Sequence, residues 1–146
     1  MKQLQGILVA AAMALIAPFL GELCLALTWP GFGIGIDVAF EGFCVVVAVI
    51  AAVLVLDLVV ERGHDGIGGV LAMATATYLL AILLFPVFFP APLLPGASSD
   101  TSGDYYAQMP LLVMVTLPAW VGLLVPSAVW VGGVNRLGRT PRAVSW

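Results

Sequence analysis

Basic side chains are scarce in this sequence, as are histidine and cysteine, and each shortage removes a class of function. Five Lys and Arg residues in 146, with a formal net charge of -3, leave no basic patch with which to grip a phosphate backbone, so no nucleic acid is expected as a partner. The single histidine, His64, excludes a haem held between two histidines of this chain, and no cofactor is expected. Cys24 and Cys44 form neither a CxxC pair nor a zinc-type spacing, so no metal site is expected from them. Their expected depths differ by about 6 Å along adjacent helices, which favours two separate thiols behaving as small hydrophobes over a disulfide. No GxSxG, HExxH, Walker or GxGxxG pattern occurs, and no catalytic residue is assigned.

The largest shortage is of charge as a whole. Only 9% of the residues are charged and 62% are hydrophobic, against roughly 25% charged in a soluble domain. Five basic and eight acidic residues cannot cover a core of this size with a polar surface, so the expected solvent is the lipid bilayer.

What the chain does contain is four continuous apolar runs, at residues 4–28, 38–60, 67–89 and 109–134. Each meets the ~20 residues that a helix needs to cross a ~30 Å hydrocarbon core. Continuity, in place of alternation, selects helix over the strands of a barrel. The expected fold is all-α: a single domain over residues 1–146, a bundle of four transmembrane helices. The first run exceeds the usual ~7 to 15 apolar residues of a secretory signal, so it is expected to be a retained helix. The connections at residues 29–37, 61–66 and 90–108 make consecutive helices antiparallel neighbours. Lys2, Arg62, Arg136, Arg139 and Arg142 all fall on one side of this threading, which predicts a cell-membrane protein with both termini cytoplasmic. Asp100 and Asp104 then lie in an external loop, with Trp29, Phe88, Phe89, Tyr105 and Tyr106 at its interface.

In a bilayer, helices associate where small residues let backbones approach. Gly6, Ala10, Ala14, Ala17 and Gly21 form such a stripe on the first helix and are expected to meet Ala48 and Ala52 on the second. Gly68, Ala72 and Ala76 offer a face on the third helix, and Ala119 and Gly122 on the fourth. Pro118 and Pro126 remove backbone hydrogen bonds within the fourth run and mark either a hinge or a static bend; Pro18 is expected to bend the first in the same way.

Ionisable groups inside a span cost ~3 kcal/mol or more, which makes each one a functional hypothesis. Glu22 and Glu41 lie at similar depths in the outer halves of adjacent helices, and Asp37 shares the face of Glu41 four residues on. If that face turns toward Glu22, the three carboxylates form a proton- or cation-binding cluster; the competing expectation is that Asp37 caps the helix and Glu41 reaches water. Asp57, near the other end of the second helix, is expected to reach interfacial water or an arginine, and Asp65 to cap the third helix.

With no room for a soluble catalytic domain, the primary expectation is a non-enzymatic membrane component, either a homo-oligomer or a subunit alongside other membrane subunits. The alternative is a small proton- or cation-coupled transporter or channel that uses the outer carboxylates.

Overall fold

The computed structural model describes residues 2–31, 33, 37–60, 66–88 and 108–138. Five helices occupy nearly all of them: α1 (Lys2–Ala14), α2 (Ala17–Thr28), α3 (Val38–Val60), α4 (Ile67–Phe88) and α5 (Met109–Gly138). Four stretches are long and apolar enough to cross a membrane, with α1 and α2 together making the first. The expected second span has the bounds of α3, whereas α5 runs four residues past the expected end of the fourth at Val134.

The first span departs from expectation: it is two helices. Pro18 has no amide proton, and its ring crowds the carbonyl of Ala14 four residues earlier. The chain tightens there, with Leu15 N donating to Ala12 O at 3.4 Å and Ile16 N to Met13 O at 3.0 Å, and α2 restarts with Pro18 in its first turn. At a helix start the missing proton costs nothing, because that donor would have no partner. Pro118 and Pro126 do not interrupt α5, and Pro86 does not interrupt α4.

This break divides the packing. α1 lies against both α3 and α5, whereas α2 lies against α5 and scarcely meets α3; α4 packs on α3 and α5. The predicted small-residue stripe on the first span therefore serves two neighbours. Ala10 joins Ala51, Ala52, Val55 and Leu56 of α3 and Trp130, Val131 and Val134 of α5 in one buried cluster. A Cβ on Gly6 would lie 2.9 Å from Leu56 Cδ1 and 3.8 Å from Val134 Cγ2, and Trp130 Nε1 donates to the Gly6 carbonyl at 3.0 Å. The start of α1 and the ends of α3 and α5 thus share one level, called here the Gly6 end.

At the opposite, Trp29 end, Gly21 meets Ala119 instead, at 3.7 Å from its Cβ position. A Cβ on Gly122 would come within 2.5 Å of the Leu20 carbonyl oxygen, so the α2 and α5 backbones touch where only glycine fits. The indole of Trp29 closes this seam by donating to Val115 O at 3.0 Å. α3 leans the other way at this end: Phe43 sits 5.8 Å from Phe85, edge to face, and 5.4 Å from Phe88. α4 and α5 are joined by polar contacts, Tyr78 OH to Val113 O at 2.9 Å and to Thr116 Oγ1 at 2.8 Å, and Trp120 Nε1 to Thr75 Oγ1 at 3.1 Å.

The predicted face of the third span is displaced. Gly68 is exposed, while Gly69, Met73, Tyr78 and Ile82 are buried, and Ala72 and Ala76 sit at the edge of the core. The inward face mixes small and large residues, with Gly69 and Ala74 buried beside Met73, Tyr78 and Ile82.

Candidate functional site

At the Trp29 end α2 packs on α5, and α2 and α3 make little direct contact. Glu22 of α2 and Glu41 of α3 lie at this end, and both carboxylates are close enough to the Cys44 thiol to act on it electrostatically. All three residues are partly buried. Glu41 stands in the first turn of α3, and its Oε2 is wholly buried with no hydrogen-bond partner. The positive end of the α3 dipole favours a carboxylate there by ~0.3 to 1 kcal/mol.

Asp37 does not join the pair. Its Oδ1 accepts the Ala39 amide at 2.9 Å and its carbonyl accepts the Glu41 amide at 2.8 Å, so its oxygens are committed to the start of α3. The Thr28 hydroxyl, a conceivable cation ligand, donates at 2.8 Å to the Cys24 carbonyl of its own helix. Among the described residues, no group of three or more His, Cys, Asp or Glu side chains is placed to hold a metal ion. Of the expected trio, Asp37 serves as a helix cap, while Glu22 and Glu41 both lie within electrostatic reach of Cys44. Cys24 and Cys44 are both free thiols.

One turn further toward the Gly6 end, the break in the first span leaves a small cavity. It is lined by Ala14, Ala17, Ala48, Thr77, Ser127 and Trp130, among others, and its volume of ≈ 20 Å³ is room for one water. Ser127 is the buried polar residue of the described core, and Pro126 beside it also lines the cavity. Proline at 126 removes the amide that would have served the Gly122 carbonyl. Thr77 donates to the Met73 carbonyl at 2.8 Å. Below the cavity Trp130 and the buried valines and alanines close the bundle.

Pro118, the first hinge candidate, lies just after the turn where α5 receives side chains from its neighbours, at Val113 O from Tyr78 and Val115 O from Trp29. Pro126, the second, adjoins the cavity. Neither Cys44 as a neighbour of both carboxylates nor Tyr78, Thr116 and Ser127 as polar groups of the interior stands out in the sequence. The usable signal is a hydroxyl at an otherwise apolar inward position, which in lipid must find a partner.

Asp57 and Arg136 are exposed near the Gly6 end, and no ion pair joins either of them to another described residue. The expected roles of Arg62, Asp65, Phe89, Asp100, Asp104, Tyr105, Tyr106, Arg139 and Arg142 fall outside the described residues. Comparison with family models, with curated proteins and with solved structures finds no match for this chain.

Proposed function

We propose that this protein is a non-enzymatic component of a membrane assembly, seated in the cell membrane with both termini in the cytoplasm, and that it works by packing against further transmembrane helices. The observation that carries this reading is an unused packing face on α5. Gly6, Gly21 and Gly122 are consumed inside the bundle, but Ala128 and Gly132, four residues apart, face outward, with open space around Gly132. Arg136 continues that stripe one turn on. Small pairs with this spacing let a second helix approach closely, and a charged neighbour gives it polar specificity. The positive-inside distribution of the five basic residues supports the orientation. The test is the mass of the intact particle released in mild detergent. More than one chain per particle supports the reading; a single chain with lipid alone refutes it.

A second reading rests on Glu41: a wholly buried, unpartnered carboxylate oxygen beside Glu22 is a site for a proton, and the protein then serves as a small proton-coupled transporter or channel. Reconstituted into liposomes, the parent should carry a proton flux that Glu41→Gln and Glu22→Gln each reduce at least tenfold. Flux that persists in both variants, or none in the parent, removes it.

A further inference from the structure

We propose that the partner on the outward face of α5 is a second copy of this chain, which docks through the outward face of its α3. This inference rests on the assembly reading above and adds the identity of the partner and the register of the contact.

The outward residues of α3 include Gly42, Val46, Ile50, Val53 and Asp57, and those of α5 include Val121, Val125, Val129, Gly132 and Arg136. Both helices run from the Trp29 end to the Gly6 end, so in one membrane they lie parallel and keep a single offset along their length. Any lipid-facing helix shows a similar periodicity, so the spacing alone selects nothing. What selects a register is complementarity. With Asp57 set opposite the partner's Arg136, Val53 falls opposite the partner's Gly132 and Gly42 falls opposite the partner's Val121. Gly42 and Gly132 both have open space where a Cβ would stand, so a large side chain faces a gap at each of these two levels. The third level pairs an acid with a base, and within a single chain neither has an ion-pair partner among the described residues.

The depths agree independently of that alignment. Gly6 touches both Leu56 and Val134, which puts those two residues at one level of the bundle. Asp57 is one residue past Leu56 and Arg136 two past Val134, so their depths differ by about 1.5 Å at the helical rise per residue. Copies related by rotation about the membrane normal keep equal depth, so the two charges meet with no vertical shift. At the edge of the hydrocarbon, pairing relieves both of the cost of facing lipid alone. α3 and α5 are diagonal partners in the bundle with slight mutual contact, and their outward faces point in different directions. The contact is therefore heterologous, with α3 of each copy on α5 of the next, and it yields rings or rows instead of an isologous dimer.

The test is disulfide cross-linking of the full chain in membranes, with Cys24 and Cys44 replaced by serine. Val53→Cys together with Gly132→Cys in one chain should give a ladder of covalent multimers, and either substitution alone should give none. Asp57→Arg or Arg136→Asp should each reduce the ladder at least tenfold, and the double reversal Asp57→Arg/Arg136→Asp should restore it, which separates loss of pairing from loss of folding. Cross-linking by Val53→Cys alone, or a double reversal that fails to restore a ladder abolished by the single ones, overturns the proposal. Particles in mild detergent holding several copies without a ladder, or one copy with a foreign chain, overturn this interface and leave the assembly reading standing. Particles holding one chain and nothing else overturn both.

Discussion

The two ends of the bundle solve the same packing problem differently. At the Gly6 end α1 fills the space between α3 and α5, and a buried cluster around Trp130 leaves the interior closed. At the Trp29 end α2 follows α5 and α3 follows α4, and Glu22, Glu41 and Cys44 lie on the two helices that scarcely meet. One residue accounts for the change. Pro18 ends α1 early and lets the second half of the same span take a new direction. Lipid gives little reward for helix contact as such, so a pair of helices that lacks close small-residue or aromatic contacts is free to part. Glu22 and Glu41 then occupy the end with the sparser helix contact, and among the described residues the core of the closed end carries no ionisable group.

Substitutions should break or sharpen this contrast in a definite order. Trp130→Ala removes the largest buried side chain of the closed end and its bond to Gly6, and should lower stability by about 3 to 5 kcal/mol, read from the unfolding midpoint in mixed detergent micelles. Gly122→Val drives a side chain into the Leu20 carbonyl and should cost about 2 to 3 kcal/mol, with the loss confined to the α2–α5 seam in a hydrogen-exchange map. Tyr78→Phe deletes two hydrogen bonds between α4 and α5 while keeping the ring, and about 1 kcal/mol should follow, since bonds of this kind in membranes average about 0.6 kcal/mol. Glu41→Gln should be smallest, under about 0.5 kcal/mol in the same assay, because the amide matches the carboxyl in shape. A change above about 2 kcal/mol in either direction would contradict this ranking.

The architecture was largely readable because hydropathy and length decide whether a segment crosses lipid, and α3 has the bounds that its apolar run implies. Small residues on the first and fourth spans also mark true contacts, at Gly6, Gly21, Ala119 and Gly122. The site was less readable, for a physical reason. Glu22 and Glu41 can be assigned to a common depth by counting residues, but whether their faces converge depends on rotation and tilt, and the break after Ala14 resets both for α2. Pro18, Pro118 and Pro126 look alike in the sequence, yet only the first coincides with a broken helix. The other two lie in a helix tied to its neighbours through Trp29, Tyr78 and Trp120, and it runs unbroken through both prolines. Asp37 illustrates the same limit at a helix end: its spacing from Glu41 suits a shared face, and its local hydrogen bonds commit it to capping.

Hydrogen exchange on the protein in lipid nanodiscs tests the difference between the two ends most directly, because α1 and α2 are halves of one hydrophobic span of comparable length. Amides of α2 from Leu20 to Thr28 and of α3 from Phe40 to Cys44 should exchange at least tenfold faster than those of α1 from Gly6 to Ala14 and of α3 from Val55 to Val59. Equal protection along both halves, or faster exchange at the Gly6 end, would contradict a bundle that is loosely joined where α2 and α3 scarcely meet and tightly packed around Trp130.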